Sequence, residues 1–411
     1  MALARLKRIL QSQYAVRLRS DQRLLNRVNA KIIRRAQKFT AKAQTAPSTK
    51  TPTTVPSVQA QTQWRIRAID LLHKIGSLTT PTRVNLAQLS ASWATRRYFW
   101  AIADGKGGQQ NFRLSQDARL LDFHQKTLLS DEFGMGMAGL LLEQFFNAPS
   151  FVDVSVALND PNVYQNIQQI GEAQPDYLMW GADPQSPYYV VECKGCQTNS
   201  STSMDQLRRG LEQVPSLVFG AGTRPVVTLV VATFMANERT TVYVLDPPSD
   251  DASDSHPPRR PQDDKVSEKI GNRSWRITNP AEFEKRTQLS KESELLKWAG
   301  QFNKALERDR YLTRRETIPT MQDFELDTRE TNIATYKGCW WPLFSELGYQ
   351  KLRLFTGVEE ELLARIAEAS PEVHLAAKAI QDRVSERGFP QESPYESLSR
   401  NGTCMIVEGL G

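Results

Sequence analysis

Cysteine and histidine are scarce, with four of each in 411 residues. Cys193, Cys196, Cys339 and Cys404 cannot build the dense disulfide framework of a small secreted domain, which points to a reducing compartment. Cys193 and Cys196 form one C-x-x-C, but zinc needs two more ligands at matching spacing. Cys339 and Cys404 are remote, and His73, His124, His256 and His374 are scattered. Zinc and His-based nuclease motifs are therefore set aside. Long apolar runs are also missing. The longest, Val226–Met235, is about half of what a bilayer-spanning helix needs, and no signal-peptide core follows the basic N-terminus. A soluble, cytoplasmic protein is expected.

Acidic residues are nearly absent from the first 45 positions, which hold twelve Lys and Arg against Asp21 alone. That segment carries a net +11, more than the +6 of the whole chain, so the remainder is slightly acidic. Apolar residues at near-helical spacing (Leu3, Leu6, Ile9, Leu10, then Leu24, Leu25, Val28, Ile32, Ile33) predict a basic amphipathic helical arm over 1–45. Such an arm suits nucleic acid, a protein partner or an anionic membrane surface. An Arg-rich, acid-poor targeting segment is the competing reading.

A Thr/Pro/Ser/Gln stretch at 46–63 reads as a flexible linker, and 64–127 as a small α+β subdomain. In that subdomain, helices are expected at Trp64–Ile75 and Leu86–Arg97, with short strands at Tyr98–Ala103 and Asn111–Leu114. Asp104-Gly105-Lys106-Gly107-Gly108 lacks the spacing of a phosphate-binding loop and is a turn. Over 128–247 the order becomes helix (Asp131–Phe146, capped by Ser130 or Asp131), strand (Phe151–Leu158), hairpin, helix (Asp205–Val214), and strands at Val226–Met235 and Thr240–Leu245. That order is a mixed sheet flanked by helices. A Pro/Asp/Ser linker at 248–270 is expected to be mobile. Residues 271–411 then read as a helical domain, with long helical patterns at Glu282–Tyr311 and Val358–Arg387. Trp340-Trp341 between them is assigned to core packing rather than base stacking.

Residues 174–195, QPDYLMWGADPQSPYYVVECKG, carry the chemistry. Two apolar runs flank a turn at Gly181–Pro187. If they pair as a hairpin, Asp176 lies opposite Glu192. Lys194 shares their face, and Cys193 turns to the core. Two carboxylates beside a lysine can hold a divalent metal and activate water against a phosphodiester. Asp176, Glu192 and the backbone carbonyl of Cys193 are the expected ligands. Lys194 would orient the water or stabilise transition-state charge. The competing reading of Glu192 and Lys194 is an ordinary ion pair at a strand end.

Pro175-Asp176 followed by Glu192-Cys193-Lys194 resembles the PD-(D/E)XK nuclease superfamily, over about Leu128–Pro247. The resemblance implies an α/β restriction-endonuclease-like core and a Mg²⁺-dependent endonuclease, with Mn²⁺ as a substitute. It also implies DNA more than RNA as substrate, and a role in prokaryotic defence or DNA processing. The basic arm or the C-terminal domain would dock a protein partner. An acid is implied on the helix before the first core strand, where Glu132 and Glu143 stand about 16 Å apart along the axis. Glu132 is preferred, because Gly134, Gly136, Ala138 and Gly139 would let the helix approach the sheet there. A glutamine on the following helix is implied as well, and Gln206 fills that place. Arg208 and Arg209 beyond it are expected at phosphates. A non-catalytic nucleic-acid-binding or assembly protein on the same scaffold is the alternative.

Overall fold

Two large sheets and one two-stranded sheet organise the described residues of the chain in a computed structural model, which describes residues 2–41, 52–79, 90–104, 110–158, 174–214, 217–219, 224–247, 275–277, 279–313, 323–344, 348, 351–387 and 393–410. The linker expected at 248–270 and the Gly-rich turn at 105–108 lie outside the described residues. No described helix is long and apolar enough to cross a membrane.

The basic N-terminal segment is not a separate arm. It folds as α1 (Ala2–Gln11), β1 (Gln13–Arg19) and α2 (Gln22–Ala41). Leu6, Ile9 and Leu10 of α1, and Leu24 and Val28 of α2, are fully buried or nearly so. Tyr14, Val16 and Leu18 alternate inward on β1, in a strand too short and too Arg-rich to stand out from the helical spacing around it. The expected linker holds α3 (Pro56–Gln59), and Thr53 bridges to Asp246.

The expected helix from Trp64 begins instead as β2 (Gln63–Arg67), with Trp64 and Ile66 inward, and becomes α4 (Ala68–Leu78). After α5 (Ser90–Tyr98) a 3₁₀ turn (Phe99–Ala101) takes the place of the expected strand. Then come β3 (Gln110–Asn111) and α6 (Gln116–Arg119).

Helix α7 spans Phe123–Phe146 and is capped by Asp122, whose carboxylate accepts from the Gln125 N–H at 3.0 Å. The cap expected at Ser130 or Asp131 is therefore wrong: a second capping residue lay upstream, and both candidates sit inside the helix. Next come β4 (Ser150–Asp153), α8 (Val154–Leu158), β5 (Tyr177–Trp180), β6 (Tyr188–Cys196), α9 (Ser200–Gln213), β7 (Leu217–Phe219), β8 (Val226–Met235) and β9 (Thr240–Leu245). Asn199 caps α9, so this helix too starts earlier than expected.

The large sheet runs β2-β1-β9-β8-β6-β5-β4, with β3 beside β1. Strands β4, β5 and β6 form an antiparallel meander. The chain then crosses through α9 to place β8 parallel to β6. This is a mixed α/β sheet flanked by helices. On one face Val191 and Cys193 pack with Phe133, Met137 and Leu141 of α7. On the other, Val190 packs with Leu207 and Leu211 of α9 and Leu24 and Val28 of α2.

The C-terminal third is not purely helical. After β10 (Trp275–Ile277), α10 (Pro280–Trp298) and α11 (Phe302–Thr313) come β11 (Asp327–Glu330), β12 (Thr335–Pro342) and β13 (Arg353–Glu359). Helices α12 (Glu360–Ala367) and α13 (Val373–Arg387) follow, then β14 (Glu396–Leu398) and β15 (Thr403–Glu408). The strands form an antiparallel sheet, β11-β12-β13-β15-β14. Trp340 and Trp341 lie on β12. The Trp341 indole N–H donates to Thr356 Oγ1 at 2.7 Å. The guanidinium groups of Arg329 and Arg353 lie over the Trp340 ring, at 4.4 and 4.3 Å from its centre.

Candidate active site

Strands β5 and β6 pair as Tyr177↔Val191, Leu178↔Val190 and Met179↔Tyr189. Continuing that register by one residue sets Asp176 opposite Glu192. Pro175 has no N–H to extend the ladder, so the carboxylate of Asp176 lies where the hairpin ends. Its Oδ2 accepts from the Cys193 N–H at 2.7 Å, which fixes it across the strand from Glu192. The Cys193 thiol is buried among the side chains packed under α7.

Glu192 is 0 % exposed, on the sheet face beneath α9. Gly210 makes room for it: a Cβ there would stand 3.2 Å from Glu192 Cγ. The Lys194 ammonium forms an ion pair with Glu192 Oε1. Burial, and then the charge of Asp176, push the Glu192 carboxyl up to about 8 against the opposing pull of Lys194. Burial also raises Asp176, with Lys194 and the Cys193 N–H pulling the other way. Burial would lower Lys194, but the carboxylates of Glu192 and Asp176 overcome it and hold the ammonium above its ordinary value.

The acid from α7 is not the expected one. Glu132 is buried beside Tyr98, and burial, the largest influence, raises its carboxyl. Its charged neighbours are Arg97 and Asp131, not Asp176 or Lys194. Asp131 is the α7 carboxylate within electrostatic reach of both Lys194 and Asp176.

Helix geometry explains the correction. Residues three apart share a face, and Asp131 lies three before Gly134, whose Cα faces the backbone of Lys194 and Gly195. Glu132, Gly136, Gly139 and Glu143 form a different stripe. Gly136 abuts Leu71 and Ile75, and Gly139 abuts Lys74 and Leu78, so this stripe packs on α4. The small-residue run that favoured Glu132 serves two neighbours, and only Gly134 serves the sheet.

Glu143 is remote and structural. It pairs with Lys74 at 2.6 Å and accepts from Ser399 Oγ at 3.0 Å and from the Arg400 N–H at 2.5 Å.

Gln206 of α9 donates from Nε2 to the Gly195 carbonyl at 2.9 Å, and its buried Oε1 has no partner. It thus reaches the strand next to Lys194. Arg208 does not present itself to a phosphate: it is buried and paired with Glu212 at 2.6 Å. Arg209 is exposed.

Among the described residues, no three His, Cys, Asp or Glu side chains converge on one metal position. Two carboxylates do meet. Glu192 offers two buried oxygens, one of them paired with Lys194, and Asp176 stands opposite. This oxygen-only, two-carboxylate set fits a hard divalent cation that keeps several waters, and it does not fit zinc. No family model, no curated protein and no solved structure matches this chain.

Proposed function

We propose that the hairpin end at Asp176, Glu192 and Lys194 is the centre of a metal-dependent nuclease with a restriction-endonuclease-like core. Its substrate is the phosphodiester backbone of nucleic acid, DNA before RNA. The observation that carries this reading is Glu192, a fully buried carboxylate facing a second carboxylate, with the single ammonium of Lys194 set against the two. Two carboxylates buried together cost stability unless cations balance them, and Lys194 balances only one of the two charges. An ordinary strand-end ion pair accounts for Lys194 and Glu192 but gives Asp176 only its bond to the Cys193 N–H.

Asp176, Glu192 and the carbonyl of Cys193 would hold Mg²⁺ or Mn²⁺, which when bound supplies charge neutralisation at phosphorus and a more acidic water. Lys194 is charged and partly open to solvent. It orients Glu192 and can donate to the attacking water or to a phosphate oxygen as charge develops. Asp131 adds negative charge at the mouth of the site. Gln206 holds Gly195, which keeps Lys194 in place, and its free Oε1 can accept from a water. A cytoplasmic role in defence or DNA processing beside a protein partner rests on the resemblance of the motif alone.

In a cleavage assay with Mg²⁺ or Mn²⁺, Asp176→Ala and Lys194→Ala should each lower cutting about 10²–10³-fold, the range for removing one charge-stabilising group. DNA binding should be retained. Cutting that survives both changes removes this site from consideration. A second reading is an inert nucleic-acid-binding scaffold, since among the described residues only two carboxylates meet at the hairpin end. Wild-type protein that binds DNA but never cuts it, with either metal and with cell extract added, would select that reading.

A further inference from the structure

Helix α2 contains no acid, and its apolar side is spent on the core through Leu24 and Val28. Its basic side faces α9 across a groove of about 580 Å³, lined by Lys31, Arg34, Arg35 and Lys38 together with Asp205 and Arg208. Lys31 pairs with Asp205 at 2.8 Å and Arg35 with Glu212 at 3.1 Å, and these bonds dock α2 onto α9. Arg208 also turns to Glu212. The acids beside the groove are thus taken up, while Arg34 and Lys38 in its lining are exposed with no partner among the described residues, as is Arg209, one position past Arg208 and four past Asp205 on α9.

The helix that forms the other wall is the one whose Gln206 grips Gly195, beside Lys194. We propose that the α2–α9 groove binds the sugar-phosphate backbone of the nucleic acid and leads it to the hairpin end. Arg34, Lys38 and Arg209 are the phosphate contacts.

This rests on the nuclease reading for what lies at the end of the groove, but not for binding itself. The chemistry favours a polyanion over a bilayer. A membrane-bound amphipathic helix needs a free apolar face. Among the described large apolar side chains of α2, Ile33 alone is exposed. A nucleic acid needs only spaced cations.

Binding is measured on full-length Asp176→Ala protein, where cutting plays no part, with a labelled DNA duplex and the matching single strand across a salt series. Adding Arg34→Ala, Lys38→Ala and Arg209→Ala together should weaken binding about tenfold or more near 0.15 M salt. Three lost phosphate contacts should lower the salt slope by about 2–3. Arg34→Lys with Lys38→Arg should restore both, and an unchanged melting temperature shows that the fold is intact. Equal affinity and slope with and without the triple change would overturn the groove. So would capture of phosphatidylserine vesicles, with no DNA bound, by the protein with the groove intact. Failure of cutting alone leaves this binding test standing.

Discussion

Glu192 decides most at the scale of single residues. Its folded-state carboxyl is raised to about 8, so the folded protein favours the neutral form. The stability this contributes is full below the ordinary carboxylate range and is lost as pH rises through about 8. In metal-free protein, the stability of wild type relative to Glu192→Gln should therefore fall between pH 5 and pH 9, as read from denaturant midpoints. Added Mg²⁺ should reverse the fall. A flat difference would mean that Glu192 ionises without strain. Glu192→Gln should keep the fold at neutral pH, because it mimics the form the protein already prefers, yet lose cleavage. The neighbouring acids give a sharper comparison. Asp131→Asn should lower cutting about tenfold or more, the effect of a charge near the reacting groups. Glu132→Gln should change cutting little, because Glu132 faces Tyr98. The reverse order in a side-by-side rate measurement would restore Glu132 to the site.

At the scale of elements, the contact between α7 and β6 sets the site. Gly195 has no room for a side chain: a Cβ would fall 1.7 Å from the Ser130 carbonyl oxygen. Gly195→Ala must push α7 off the strand, at a cost of about 2–3 kcal/mol. Because Lys194 precedes it and Asp131 follows Ser130, cutting should drop along with the denaturant midpoint. A stable, fully active Gly195→Ala protein would show that this approach does not position the site. The hairpin register was legible in the sequence, because period-two alternation on both sides of a turn leaves one pairing that buries both apolar runs. The face of α7 was not. Its helix carries glycines for two different neighbours, and spacing alone does not say which glycine meets which.

At the scale of the molecule, helices α4 and α7 meet the β14–β15 turn of the C-terminal sheet along a buried polar seam. Lys74 and Glu143 are nearly inaccessible, and Glu143 also holds Ser399 and Arg400 from the C-terminal sheet. Glu143→Ala would strand the Lys74 ammonium and should cost about 3–5 kcal/mol, with the rate per folded molecule kept. Loss of rate without loss of stability would make Glu143 catalytic after all. This seam was invisible in the sequence, because its partners lie some 250 positions apart. For the same reason β1, which pairs in parallel with the distant β9, read as part of a helical arm. Strands β12 and β13, interrupted by Gly338 and Gly357, with a helix directly after β13, read as part of a helical domain. The most direct measurement of what the hairpin end is for is a calorimetric titration of Mn²⁺ into wild-type, Asp176→Ala and Glu192→Gln proteins. Saturable binding to wild type that is lost in both variants is the expected result. No binding to wild type, or equal binding to all three, would contradict a metal centre at Asp176 and Glu192.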